Sequence, residues 1–224
     1  MAYRRTPFVP GEWYHCYNRG VDKRTVFETV PDYERFLEAL YLSNNIETSQ
    51  RGTFYRLPHA DVMHLERQEP IVAIGAYCLM PNHFHLLIKE IVEGGITKFM
   101  HRVGTSYTMY FNVKRERVGN LFVKPFRSKH IADDIYFKRV AQYIHLNPVE
   151  IFEPQWKKGV VDNTAAIEEK LKKYPYSSLP DYHGSKRLEN VILDREAVKL
   201  LKEDMPPINE LIPDMSTYYA ELDV

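Results

Sequence analysis

Two histidines separated by one residue, His83 and His85, are the side chains of this sequence best suited to chemistry. Apolar runs on both sides of Pro81-Asn82 predict two β-strands joined by a tight turn, and the histidines begin the second strand. Residues i and i+2 of a strand point to the same face, so both imidazoles should project together, with Phe84 on the opposite face. Two neutral imidazoles side by side make half of a metal site. The alternative is an ordinary pair of histidines lining a half-buried sheet face.

A second polar pair lies at the end of a helix predicted over residues 133–146, where apolar residues recur at helical spacing. Tyr143 and Asn147 are four residues apart, so a phenol hydroxyl and an amide oxygen stand on one stripe of the helix surface. Pro148 disfavours helix for the residue before it and should end the helix near Asn147. Taken alone, Tyr143 fits an amphipathic tyrosine at the edge of a core, and Asn147 fits a helix C-cap.

Together these segments resemble the HUH superfamily of single-strand DNA nucleases, and within it the single-tyrosine transposases, most closely the REP-associated tyrosine transposases. The resemblance rests on residues 13–20, 77–87, 107–122 and 143–149, and it covers about residues 11–184. The runs Met-Pro-Asn-His-Phe-His and Tyr-Ile-x-Leu-Asn-Pro-Val are each specific for that family. One departure is Glu150-Ile151, where relatives often carry Arg-Ala, and it removes a positive charge beside the site.

The resemblance implies a reaction and a site. The reaction is cleavage and rejoining of single-stranded, hairpin-associated DNA, with Tyr143 as the nucleophile that forms a 5′-phosphotyrosine intermediate. A divalent ion, Mg²⁺ or Mn²⁺, would be held by His83, His85 and, we suggest, Asn147, and Mn²⁺ suits imidazole better. No general base is obvious, because His145 is two residues from Tyr143 and points to a different side of the helix.

The distribution of charge favours a nucleic-acid partner, although 30 basic and 30 acidic residues cancel to zero net charge. Residues 101–146 carry nine Lys or Arg and three acids, a net +6, whereas residues 186–224 carry five basic and nine acidic side chains, a net −4. Aromatic residues interleave with the basic segment, as is typical of single-strand binding, although a solvated helix face is the alternative. The predicted DNA contacts are Arg19, Lys114, Arg115, Arg117, Lys124, Arg127, Lys129 and Arg139.

Cysteine usage and hydropathy place the chain in a reducing compartment. Cys16 and Cys78 lie in predicted strands and form neither a disulfide framework nor a zinc motif, so we expect buried thiols. No apolar run is long enough to span a membrane, and the first residues carry no secretory signal. We therefore expect a prokaryotic, cytoplasmic, nucleoid-associated protein without membrane contact, acting as a monomer or homodimer.

Hydrophobic periodicity predicts a mixed α and β chain. The predicted strands are 12–18, 71–80, 83–90 and a short one near 128–131; the predicted helices are 31–45, 96–115, 133–146, 164–173, 194–202 and 208–222; residues 46–70 are predicted as a loop or hairpin insert. This order predicts an α+β fold, a ferredoxin-like antiparallel sheet with helices packed on one face. The predicted domain spans residues 1–184, followed by an acidic helical extension over 185–224.

The predicted function is therefore a metal-dependent transposase or endonuclease that acts on single-stranded DNA. One alternative is a non-catalytic or domesticated single-strand DNA-binding protein that retains the fold. A replication initiator or relaxase of the same superfamily needs appended segments that 224 residues do not accommodate. A zinc hydrolase of the deaminase type needs a Cys-x-x-Cys pair, which is absent from the sequence.

Overall fold

A four-stranded antiparallel sheet forms the centre of the protein. The computed structural model describes residues 7–47, 57–156, 163–203, 206–208 and 210–212. The strands are Trp13–Arg19 (β1), Val72–Met80 (β2), His83–Glu90 (β3) and Arg127–Ile131 (β4). Their order in the sheet is β2-β3-β1-β4.

The α-helices of the described residues alternate with the strands and then continue beyond them. They are Val30–Ser43 (α1), His59–Met63 (α2), Gly95–Lys114 (α3), Asp134–Leu146 (α4), Val149–Phe152 (α5), Thr164–Lys172 (α6), Leu179–Tyr182 (α7) and Arg195–Lys202 (α8). Short 3₁₀ helices lie at Val21–Lys23 and Leu188–Ile192. The strand-helix-strand-strand-helix-strand order and the strand neighbours give the ferredoxin-like arrangement, so the predicted α+β class is confirmed.

Local sequence signals fix the two elements that carry the candidate site. Met80 pairs with His83 across the hairpin, so β2 and β3 are joined by a two-residue turn at Pro81-Asn82, as predicted. Asp133 is the N-cap of α4, and its carboxylate accepts a hydrogen bond from the Tyr136 backbone N–H at 2.7 Å. This bond satisfies one of the N–H groups that a helix start leaves without a partner.

One face of the sheet is covered by α1 and α3 and holds an aromatic core. Phe36 of α1 lies 4.7 Å from Phe84 of β3 and 5.2 Å from Tyr107 of α3, measured between ring centroids. Phe27 and Phe122 complete the cluster around Phe36. Edge-to-face and tilted aromatic contacts of this kind add to the free energy gained from apolar burial.

The opposite face of the sheet is covered by α4. The Phe137 ring of α4 lies 4.8 Å from the Trp13 ring of β1, and the Tyr143 ring lies 5.3 Å from the His85 ring of β3. Helices therefore pack on both faces, which corrects the expectation that they share one face. The reason is that α4 has an apolar face of its own, which has to be buried. The strand residues that point away from the aromatic core also have to be covered, and α4 covers them.

Residues after α6 cover the outer edge of β2. The Leu79 N–H donates to the Tyr176 carbonyl at 2.9 Å, and the Asp194 N–H donates to the Ile74 carbonyl at 2.8 Å. The Arg187 guanidinium donates to the Tyr77 hydroxyl at 3.0 Å. The described part of the predicted extension thus packs against the sheet, and such a cover protects an edge strand from pairing with another chain.

One of the remaining predictions differs from the structure, and another falls mostly on residues that are not described. The predicted loop over 46–70 contains α2, and residues 48–56 of it lie outside the described residues. Most of the helix predicted over 208–222 also lies outside them. Cys16 and Cys78 are buried thiols, as expected. Among the described helices, none is long and apolar enough to cross a bilayer.

Candidate active site

The two histidines start β3 and share the sheet face that α4 covers. The His83 and His85 ring centroids are 5.0 Å apart and their planes cross at 89°. His85 is fully buried, while His83 is partly exposed. The expected placement on one face is therefore what the structure shows, with Phe84 turned into the aromatic core on the other side.

Tyr143 projects from α4 onto the same face and is almost closed to solvent. Its ring centroid lies 5.3 Å from that of His85 and 5.5 Å from that of His15, and its exposed fraction is 1%. Burial raises the pKa of the Tyr143 phenol above its ordinary value, and the nearby Tyr17 adds to this shift. A hydrogen bond from the Asn147 side chain acts in the opposite direction and lowers that pKa.

Asn147 follows the last residue of α4 and occupies the C-cap position. Its side-chain amide donates to the Tyr143 backbone carbonyl at 2.9 Å, so the amide satisfies one of the carbonyls at the helix end. The structural role considered for Asn147 is thus present. Its role as a metal ligand stays a prediction, and the hydrogen bond leaves the amide oxygen for that purpose.

His15 belongs to this cluster although sequence reasoning did not select it. Its Nε2 atom lies 2.9 Å from Nδ1 of His85, and its ring is 2% exposed. Burial, together with the nearby positive charge of Lys129, lowers the pKa of His15 to about 3, so the ring is neutral at neutral pH. Strand alternation in β1 would have placed His15 on one face with Tyr17, but the register between β1 and β3 is not readable from the sequence.

The donor chemistry of the site fits a divalent cation in part. Two imidazoles on one face and an amide oxygen at the end of α4 are ligands that Mn²⁺ accepts. Among the described residues, no group of three or more His, Cys, Asp or Glu side chains is placed to hold a metal ion. If a cation binds here, the amide oxygen of Asn147 is the candidate for a ligand beyond the two imidazoles.

Three of the predicted DNA-binding residues point to the same face as the histidines. Arg19 pairs with His83 across β1 and β3, while Arg127 and Lys129 pair with Tyr17 and His15 across β1 and β4. Within the described residues no salt bridge involves Arg19 or Arg127, and the Lys129 ammonium lies over an aromatic ring of α4. This face thus offers positive charge beside the candidate nucleophile.

Lys114, Arg115 and Arg117 lie on the other side of the sheet, at the C-terminal end of α3. The Lys114 ammonium is 2.7 Å from the buried carboxylate of Asp32, and Arg115 forms a salt bridge with Glu28. Arg117 donates to the Asn112 side chain and the Asn120 carbonyl. The structure therefore does not bring these three together with the histidines, and two of them are already paired with acids. The exposed Lys124 and Arg139 lie outside both groups.

His145 is directed away from the candidate nucleophile, as the helical spacing predicted. Its Nε2 atom lies 2.8 Å from the Ser178 hydroxyl, and its ring is 4.8 Å from that of Tyr182. Burial lowers the pKa of His145 to about 3. The residue therefore ties α4 to the segment that covers the edge of β2 and does not face the phenol of Tyr143.

A family model described as "Transposase IS200 like" spans the segment that carries both histidines, Tyr143 and Asn147. Residues 61–147 match the IS200-like transposases. No curated protein matches the chain. A solved structure described as the REP-associated tyrosine transposase bound to a REP hairpin is 15% identical, has a TM-score of 0.53, and covers 84% of this chain and 90% of its own.

These findings confirm the resemblance to single-tyrosine transposases that the sequence motifs indicated. At 15% identity the solved structure is evidence of a shared fold. The IS200-like segment ends at the site residues themselves, since its last residue is Asn147. The match over residues 61–147 therefore supports a likeness to transposases, a family of DNA strand-transfer enzymes.

Proposed function

We propose that the protein is a metal-dependent transposase that cleaves and rejoins single-stranded, hairpin-associated DNA through Tyr143. The observation that carries the proposal is the contact between two elements far apart in the sequence. The phenol ring of Tyr143 on α4 faces the imidazole of His85 on β3, inside the IS200-like segment. A nucleophile and candidate metal ligands on facing surfaces form the minimal apparatus for such a reaction.

In the proposed step a bond forms between the Tyr143 oxygen and phosphorus, and the bond from phosphorus to the 3′ oxygen of the preceding nucleotide breaks. The phenol gives up a proton and the departing 3′ oxygen takes one up, so the step consumes no net proton. The resulting 5′-phosphotyrosine preserves the phosphodiester bond energy, so a second 3′-hydroxyl can reverse the step and join a new strand.

Positive charge is what the buried phenol needs in order to react. Burial raises the pKa of Tyr143, which disfavours the phenolate. His83, His85 and Asn147 would hold a bound Mg²⁺ or Mn²⁺, which would supply charge where the phosphate becomes more negative. Arg19 stands opposite His83 on the same face and would contact the phosphate directly.

DNA can reach Tyr143 only if the contact between α4 and the sheet opens, since the phenol is 1% exposed. We therefore propose that the described arrangement is the closed form and that substrate binding is coupled to displacement of α4. The exposed cations of β4, Arg127 and Lys129, lie at the edge where a strand would enter. Hairpin DNA is the proposed partner because the solved structural neighbour is bound to a REP hairpin.

The test is a denaturing gel after incubation with Mn²⁺ and hairpin oligonucleotides that carry unpaired flanks. The wild-type protein should become covalently attached to the DNA, and Tyr143→Phe should lose the adduct while keeping its fold and DNA affinity. Tyr136→Phe is the matched control, because Tyr136 lies two helical turns earlier on α4. An adduct that survives Tyr143→Phe and disappears in Tyr136→Phe would move the nucleophile to Tyr136.

The burial of Tyr143 also favours a second candidate, a non-catalytic or domesticated single-strand DNA-binding protein that retains the fold. In that case hairpin DNA should bind with steep salt dependence, since phosphate contacts release counterions, yet no adduct should form under any metal condition. The same gel, combined with a binding titration, distinguishes the two candidates.

A further inference from the structure

The proposed reaction gives no role to the buried hydrogen bond between His15 and His85. It joins Nε2 of His15 to Nδ1 of His85 at 2.9 Å, between strands β1 and β3. Both rings are buried, and their centroids are 5.1 Å apart. The bond is therefore shielded from water, which could otherwise exchange either partner.

Two neutral imidazoles can share such a bond in only two ways. Either Nδ1–H of His85 donates to Nε2 of His15, or Nε2–H of His15 donates to Nδ1 of His85. In the first arrangement Nε2 of His85 carries a lone pair and can bind a cation. In the second it carries the proton and cannot. The metal-binding capacity of His85 thus depends on which tautomer the pair adopts.

The Nδ1 atom of His83 is also hydrogen-bonded to a neighbouring side chain, Asn82, and here the direction of the bond is known. This Nδ1 atom lies 2.6 Å from the side-chain oxygen of Asn82. Because an amide oxygen only accepts, Nδ1 of His83 must carry the proton, and Nε2 is then the nitrogen with the lone pair. In both histidines the Nδ1 atom is engaged by a neighbouring side chain; Nε2 is thereby the nitrogen suited to a ligand in His83, and in His85 it is so when Nδ1 carries the proton.

The His15 ring is held in place by its surroundings. It lies 4.9 Å from the Tyr17 ring on its own strand and 5.5 Å from the Tyr143 ring on α4. A ring fixed by packing on a sheet strand can orient its partner more accurately than a loop residue can. His15 lies outside the IS200-like segment, which begins at residue 61.

We propose that His15 is a positioning residue that holds His85 in the Nδ1–H tautomer and aims its Nε2 at a divalent cation. The inference rests on the proposed function, since it assumes that His85 binds the metal. Ligating histidines commonly donate their second N–H to a neighbouring acceptor, and loss of that acceptor costs about 10–100-fold in metal affinity. His15 supplies the acceptor here with an imidazole nitrogen.

The experiment has two readouts on the full chain. The first is the tautomer of His85 in the metal-free protein, read from its ring ¹⁵N chemical shifts and their couplings to ring protons. The second is Mn²⁺ affinity, measured by electron paramagnetic resonance. The variants are His15→Phe, which keeps an aromatic ring but has no acceptor, and His15→Gln, whose amide oxygen can accept in place of Nε2. The control is His145→Phe, another buried histidine whose hydrogen bond goes to Ser178.

The wild-type protein should show His85 protonated on Nδ1. His15→Phe should lose that preference and about 10–100-fold of Mn²⁺ affinity, His15→Gln should restore both, and His145→Phe should change neither. A His85 ring protonated on Nε2 in the wild-type protein, or a Mn²⁺ affinity unchanged in His15→Phe, would overturn the inference. A wild-type protein that binds no Mn²⁺ would instead overturn the metal-dependent function, whatever the tautomer. If His15→Phe does not fold, the wild-type tautomer and His15→Gln still decide the question.

Discussion

The two faces of the sheet are both closed to solvent, but they bury different chemistry. On the face covered by α1 and α3, the cluster is mainly of phenylalanine rings such as Phe36 and Phe84, and the phenol of Tyr107 donates its hydrogen bond to the Val26 carbonyl. On the face covered by α4, the imidazoles of His15 and His85 and the phenol of Tyr143 lie together, beside the Trp13–Phe137 ring contact. The same strand supplies both, because neighbouring residues of β3 point to opposite faces.

This difference indicates what each face does. Burying an aromatic hydrocarbon stabilises the fold in proportion to the area removed from water. Burying an imidazole or a phenol costs free energy unless each polar atom finds a partner. A sheet that places several such groups under one helix has to provide partners for their polar atoms, as His15 and His85 do for each other, and such a polar interior is expected of a site selected for reaction rather than for packing.

The largest effect should come from removing a histidine of the α4 face. His85→Leu and His83→Ala should abolish DNA cleavage, as should an excess of chelator, because the proposed metal would be without its ligands. Unfolding by urea should show only about 1–2 kcal/mol of destabilisation for His85→Leu, since Leu fills the space but leaves His15 without its hydrogen bond. Full cleavage in excess chelator would refute the metal requirement.

The next largest effect should come from the adjacent residue of the same strand. Phe84→Ala removes a ring from the aromatic core and should cost about 3–5 kcal/mol of unfolding free energy, by transfer and cavity terms together. Cleavage per folded molecule should persist, because Phe84 does not touch the α4 face. A variant that unfolds little but loses cleavage would show that the two faces are coupled.

Much of this contrast could be predicted from the sequence, because it depends on local patterns. The alternation around Phe84 and the turn at Pro81-Asn82 fixed the placement of both histidines, and the carboxylate of Asp133 marked the start of α4. The spacing of Tyr143 and Asn147 placed them on one stripe of that helix.

The unpredicted features all depend on contacts between residues distant in the sequence. The hydrogen bond between His15 and His85 spans 70 positions, and the salt bridge between Lys114 and Asp32 spans 82. Cross-strand register and ion pairs of this kind follow from the assembled sheet, and composition alone does not reveal them. The ion pairs of Lys114 with Asp32 and of Arg115 with Glu28 could not be predicted for the same reason, and the roles of the two cations as DNA contacts stay a prediction.

A smaller effect should separate the two groups of predicted DNA contacts. Replacing Arg19 and Arg127 by Ala should weaken binding of an unpaired oligonucleotide and reduce the salt dependence by about 0.7 in log–log slope for each phosphate that the variant no longer neutralises. Replacing Lys114 and Arg115 by Ala should change affinity less, because Asp32 and Glu28 already neutralise them, and should lower stability instead. Fluorescence anisotropy across a salt series measures both slopes, and equal reductions would show that DNA touches both faces.

The smallest effect should be on the pH dependence of stability, and it should come from His59, which is protonated at neutral pH, unlike the neutral imidazole of His15 under α4. His59 of α2 lies between Glu38 of α1 and Glu189 of the 3₁₀ helix Leu188–Ile192, 3.2 Å from a carboxylate oxygen of each. Burial would lower its pKa, but the hydrogen bonds and negative charges of Glu189 and Glu38 outweigh that effect and raise it to about 9. Arg35 and Arg187 face the same two carboxylates from α1 and from the segment after α7.

The sign of the pH dependence follows from that raised pKa. A folded-state pKa above the unfolded value of 6.5 means that the folded protein holds the proton more tightly, so the stabilisation is complete below pH 6.5 and is lost as pH rises through about 9. We expect a loss on the order of 1 kcal/mol between pH 7 and 9.5, because solvent screens a cluster near the surface. The pKa of His15 is lowered to about 3, so its effect on stability has the opposite sign: the folded protein is destabilised as pH falls below 6.5. The free energy of unfolding, measured with urea across this pH range, should decline at alkaline pH in the wild-type protein but not in His59→Gln. Its decline at acid pH should be the same in both proteins. An alkaline decline that persists in His59→Gln would exclude this cluster as its source.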